Sequence, residues 1–104
     1  MSREELQKDN FAFTSMAAAI FYGNAGVAST LIEKANVPVN KQGNTGNSAL
    51  HFAAKWGQLA VARYLLQNAA DVTLTNKDGD TALSLSQKYG NRDITTLLRN
   101  NGAV

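Results

Sequence analysis

Laid against itself, the chain repeats at a spacing of 33 residues, the distance from Gly46 to Gly79. Gly46-Asn47-Ser48-Ala49-Leu50-His51-Phe52-Ala53-Ala54-Lys55-Trp56-Gly57 aligns with Gly79-Asp80-Thr81-Ala82-Leu83-Ser84-Leu85-Ser86-Gln87-Lys88-Tyr89-Gly90. A period of this size marks stacked supersecondary units, none of which buries its apolar face alone. The match continues past the second glycine, with Val61 over Ile94, Tyr64 over Leu97, Leu65 over Leu98 and Ala69-Ala70 over Gly102-Ala103. A weaker earlier copy runs from Thr14 to Gly23 and on through Val27, Leu31, Ile32 and Ala35. One extra residue falls between Ala35 and Gly46, in a connection where insertions cost little.

Within each copy, Thr14, Ser48 and Thr81 stand where a hydroxyl accepts a backbone N–H and opens a helix. Gly23, Gly57 and Gly90 end that helix after about two turns. Second helices are predicted over about residues 25–34, 59–67 and 92–100, with apolar faces formed by Val27, Leu31 and Ile32, by Val61, Tyr64 and Leu65, and by Ile94, Leu97 and Leu98. Gly43-Asn44-Thr45-Gly46 and Asn76-Lys77-Asp78-Gly79 read as turns. Ser2 followed by Glu5 fits a capping box and allows a short lead-in helix over residues 3–9, with a frayed terminus as the alternative.

The Ser48-Ala49-Leu50-His51-Phe52-Ala53-Ala54 stretch, the glycine closing the first helix and the Val-x-x-Tyr-Leu-Leu-x-x-Ala-Ala tail resemble the ankyrin repeat, whose signature is T-P-L-H-x-A-A. The resemblance covers about residues 9–104 and is strongest in the middle copy. It implies an all-α solenoid of three helix-turn-helix repeats with short hairpin-like loops, at about 9–41, 42–75 and 76–104. The signature proline is replaced by Ser15, Ala49 and Ala82, and losing this preset first-turn residue should cost some stability without changing the fold. Ser86 and Gln87 make the third copy more polar, as in a capping unit at the end of a stack.

At 104 residues the chain is read as one domain with a modest core. Apolar content of 44% with 17% charged residues is globular, and no stretch is long enough to span a bilayer. Cysteine is absent, which excludes disulfides, thiolate metal sites and a cysteine nucleophile. The charged start, Met1 to Asp9, lacks the apolar core of a secretory signal and favours the cytoplasm, with a removed signal peptide and a periplasmic or secreted location as the alternative. The net charge of +2 is mild and the basic residues are spread along the chain, a weak footprint for nucleic acid.

His51 is the sole histidine. The resemblance implies a structural role, its imidazole bonding loop backbone and tying repeats together. General acid–base work needs a second group within hydrogen-bond reach, and no such constellation is present. Zinc is excluded by the lack of ligands. Asn76, Asp78 and Asp80 alternate like a calcium loop, but its glycine would fall on Thr81 and its closing glutamate on Gln87, so a solvated turn is expected. No cofactor and no catalytic residue is assigned.

The residues before the three helix-ending glycines are Tyr22, Trp56 and Tyr89, preceded by Phe21, Lys55 and Lys88. The resemblance implies that these positions line a concave face and contact partners. First helices at about 8 to 10 Å spacing would set the three rings in a ladder, with packing of the rings on the protein itself as the competing reading. Phe11 and Phe13, expected at the first hairpin position, extend the stripe or seal the core. Lys55, Lys88 and Lys77 favour a partner with carboxylates or phosphates, opposed in part by Asp78 and Asp80. The function expected is a monomeric, non-catalytic protein-binding module, either a small inhibitor or protective partner of an enzyme or an adaptor; a nucleic-acid or acidic-ligand binder is the alternative from another class.

Overall fold

The computed structural model describes residues 11–104. The lead-in helix expected over residues 3–9 lies outside them. Among the described residues six helices pair into three antiparallel hairpins: α1 (Phe11–Phe21) with α2 (Ala25–Glu33), α3 (Ala49–Trp56) with α4 (Leu59–Gln67), and α5 (Ala82–Lys88) with α6 (Arg92–Asn100). The first helices form one row, α1 on α3 on α5, and the second helices a looser row, α2 on α4 on α6. Ala17, Ala19, Ala49, Ala53, Ala54 and Ala82 are buried, and their short side chains allow the tighter approach of the first row. Met16, Ile20, Val61, Leu65, Ile94 and Leu98 fill the space between the rows and are inaccessible to solvent.

Ser48 and Thr81 open α3 and α5 as expected. Each hydroxyl accepts the backbone N–H three residues on, and His51 and Ser84 return the bond to the cap, completing capping boxes. Thr14 does not open a helix, because α1 is already running at Phe11. Phe11 and Phe13 therefore stand on helical backbone and not at a hairpin position. The cause is local: the chain has no glycine or proline before Gly23, whereas turn segments precede α3 and α5.

Val27 also departs from expectation, being 45% exposed, while its counterparts Val61 and Ile94 are buried. Those two lie in hairpins with a preceding hairpin to pack on; among the described residues α2 has none. Ser86 is not a solvent-facing residue of an end unit either. It is fully buried, donates to the Leu83 carbonyl at 2.7 Å and shares a hydrogen bond with Thr95 Oγ1.

Amide side chains lock successive hairpins. Gln58 Nε2 donates to the Phe21 carbonyl at 3.0 Å, and one hairpin later Asn91 Nδ2 donates to the Ala54 carbonyl at 2.7 Å. Each satisfies an orphan carbonyl at the end of a first helix. Asn91 sits so close that a Cβ on Gly57 would approach its Oδ1 to 2.9 Å, and Gly57 adopts φ +72°. Gly46, at φ +80°, lets the next loop pass; a Cβ there would lie 2.7 Å from the Lys77 nitrogen.

A candidate partner-binding surface

Apart from Lys77, the expected site residues lie at the C-terminal ends of α1, α3 and α5, where the glycine turns bring the chain out of the first row. Tyr22 is 79% exposed and Tyr89 52% exposed. Trp56 is half-buried against the core, and Phe21 is half-buried. Trp56 stacks on Phe52, one helical turn earlier, at 4.8 Å and 8°. Phe21 meets Trp56 edge-on at 5.3 Å and Tyr22 edge-on at 5.2 Å. The rings of the first two hairpins thus touch through Phe21, and Phe52 joins them from beneath. Sequence reasoning passed over Phe52; its place four residues before Trp56 on one helix face was the available signal.

Tyr89 is reached differently. Lys55 Nζ lies over its ring, 5.9 Å from the centroid, in cation–π range. Lys88 turns back onto its own hairpin and pairs with Asp80 Oδ2 at 3.0 Å. Hydrogen bonding to Lys88 and to Ser84 holds the Asp80 carboxyl below its ordinary range, and the same bond raises Lys88. Lys77 is exposed on the tip beside Asp78, its backbone N–H donating to the Thr45 carbonyl at 3.1 Å. Among the described residues, Lys88–Asp80 is the one ion pair.

The expected solvated turn is present, with Lys77, Asp78 and Gly79 exposed, but Asn76 anchors it to the scaffold. Asn76 is buried, its Oδ1 accepts the N–H groups of Asp78 and Asp80 at 3.0 and 2.9 Å, and its Nδ2 donates to Asn47 Oδ1. That oxygen is thereby spent on backbone. Among the described residues no group of three or more His, Cys, Asp or Glu side chains could hold a metal ion.

His51 bridges two hairpins. Its Nδ1 accepts the Ser48 backbone N–H at 3.1 Å, so Nε2 carries the proton and donates to the Asp80 carbonyl at 2.9 Å. Burial lowers its pKa, outweighing the hydrogen bonds to Asp80 and Leu74 and the Asp80 charge, which raise it. As pH falls through about 6.5 the unfolded chain takes up this proton before the folded chain does, so stability drops from there until the folded ring also protonates; above that range the contribution is complete. Melting temperature should therefore decline as pH falls below about 6.5 in the wild type and run flatter in His51→Gln, which lacks the titration. Equal slopes in both proteins would refute this role. Asp71 and Asp80, both held below the ordinary carboxylate range, act at lower pH.

A cleft of about 490 Å³, lined in part by Ser86, Gln87, Arg92, Thr95 and Arg99, lies on α5 and α6, apart from the aromatic cluster. Among the described residues no helix is long and apolar enough to cross a membrane.

Comparison with known proteins agrees with this architecture. Human transient receptor potential cation channel subfamily A member 1 is 31% identical over 102 residues, covering 95% of this chain and 9% of the channel subunit. A putative ankyrin repeat protein of Rickettsia bellii (strain RML369-C) is 27% identical over 92 residues, 84% of this chain and 55% of that protein. The chain thus spans less than two thirds of the length of either relative. Among solved structures, a chain in the complex of the Bd0816 predatory endopeptidase from Bdellovibrio bacteriovorus with immunity protein Bd3460 superposes with a TM-score of 0.83 at 28% identity, covering 86% of this chain and 47% of that one. The family model for ankyrin repeats in three copies matches residues 3–76. With the period, the capped hairpins and this match in agreement, the chain belongs to the ankyrin-repeat family, whose members are interaction modules that are typically non-catalytic.

Proposed function

We propose that this chain is a non-catalytic binding module that recognises one protein partner through the concave face formed by α1, α3 and α5 and the adjoining hairpin tips, as a small inhibitor or protective partner of an enzyme. The observation that carries the reading is the pairing of two largely exposed tyrosines, Tyr22 and Tyr89, with the half-buried Trp56 on one row of helices. Aromatic side chains exposed on a rigid frame are what interface hot spots are made of, and a preformed face loses little entropy on binding. The inhibitor form draws support from the similarity to a chain of an endopeptidase–immunity protein complex. An adaptor is the second form. A nucleic-acid role is disfavoured because Lys88, one of three lysines assigned to it, is neutralised by Asp80.

Affinity isolation of a partner with wild-type chain and a Tyr22→Ala control tests this. Tyr22 is exposed, so its truncation should leave the melting temperature nearly unchanged while weakening partner binding by about 2 kcal/mol, roughly thirtyfold. Loss of an enzyme partner's activity on mixing supports inhibition; a ternary complex with the activity retained supports the adaptor. A partner bound equally by Tyr22→Ala, Tyr89→Ala and wild type would remove the face from the proposal.

A further inference from the structure

Charge is divided unevenly across the proposed binding face. From Ser15 to Ile32 the sequence holds no Asp, Glu, Lys, Arg or His, so up to Glu33 at the end of α2 the first hairpin contributes no charged group from this stretch. Its rings Phe21 and Tyr22 join Trp56 and Phe52 in an uncharged cluster centred between α1 and α3. The ionisable groups gather at the other end: Lys55 reaches from α3 over Tyr89, Lys77 and Asp78 occupy the tip, and Lys88 is tied to Asp80. With Lys88 and Asp80 cancelling each other and Lys77 set apart beside Asp78 on the tip, Lys55 is the partly exposed cation that lies against an exposed ring. Its ammonium lies 5.9 Å from the centre of that ring and has no carboxylate partner among the described residues.

We propose that the face reads a partner segment in a fixed order, with an apolar anchor seated against Tyr22 and Trp56 and a carboxylate seated between Lys55 and Tyr89. This rests on the binding-face reading above and adds the chemistry of the occupant, an acidic peptide segment with an aromatic or aliphatic anchor. The two half-sites are centred one helix spacing apart, about 10 Å. An extended segment covers that distance in about three residues. A carboxylate at Lys55 gains a charge-assisted hydrogen bond, while the uncharged half gives an acid no compensation for lost water. Reversed placement is therefore disfavoured at both ends, and specificity comes from the penalty as much as from the contact.

The test uses a labelled synthetic peptide with a Trp–Leu pair and a Glu pair about three residues beyond it, in both chain directions. Companion peptides lack the anchor, replace Glu by Lys, or lengthen the spacer. Saturable binding to the whole chain is expected in one direction, weakened at least about tenfold by Lys55→Glu and restored when that variant meets the Lys peptide. Lys55→Gln, with a thermal melt of each variant, separates charge loss from misfolding. Absence of saturable binding to the Glu peptide overturns the inference, as does equal binding of Glu and Lys peptides. If binding is lost in Tyr22→Ala but indifferent to Lys55→Glu, the charge order fails and the binding face stands. Indifference to both variants removes both.

Discussion

Leu65→Ala is expected to destabilise the chain by about 2 to 5 kcal/mol, in the upper half of that range. Leu65 is fully buried on α4, which packs against both α2 and α6. Truncation there leaves a cavity walled on two sides by neighbouring hairpins, and a wall held from both sides cannot collapse into it. Proteins of this size have total stabilities of about 5 to 15 kcal/mol, so the loss removes a large share. A fall in melting temperature of at least about 12 °C should accompany it. Val27→Ala is the matched control. Its side chain is 45% exposed, and its truncation should cost less than about 1 kcal/mol. Chemical denaturation of the two variants decides the matter: a cost for Leu65→Ala near that of Val27→Ala would mean that the hairpins do not share one core.

That control also marks a limit of what the repeat register could tell. Val27, Val61 and Ile94 occupy one register position, and periodicity assigns all three to the core. Burial depends on what precedes the hairpin in space, which a register does not contain. The hairpins, their glycine ends and the caps at Ser48 and Thr81 were legible because each is set by residues within one turn of itself. The same locality misled at Thr14, where a cap-like residue sits in sequence that nothing upstream prevents from being helical. For the candidate surface, the sequence located the aromatic positions but not their partners. That Lys88 folds back to Asp80 while Lys55 crosses to Tyr89 depends on side-chain reach between hairpins. Asn76 shows the same limit, since a turn residue read as solvated is buried by the loop of the preceding hairpin.

Trp56→Ala is expected to lower both stability and partner affinity, in contrast to Tyr22→Ala. From position alone the ring reads either as a hot spot whose removal changes melting little or as one packed on the protein itself. In the folded chain it is half-buried, stacked on Phe52 and met edge-on by Phe21. Aromatic pairs contribute about 0.5 to 1.5 kcal/mol each beyond burial, and a fully buried Trp→Ala change costs about 3 to 5 kcal/mol. A half-buried ring with two such contacts should therefore cost about 2 to 3 kcal/mol of folding stability. Its removal also frees Phe21, and through it Tyr22, from the geometry that the proposed face requires. Binding should weaken by about 2 kcal/mol or more when measured well below the variant's melting temperature, where the chain is still folded. Trp56→Phe separates the two effects. It retains a ring to stack on Phe52 and should recover most of the stability, but it presents a smaller edge to the partner and should recover less of the affinity. Thermal melts and binding isotherms of both variants give the comparison. Full affinity in Trp56→Ala, together with a large drop in melting temperature, would place this ring in the scaffold and confine recognition to Tyr22, Tyr89 and the lysines around them.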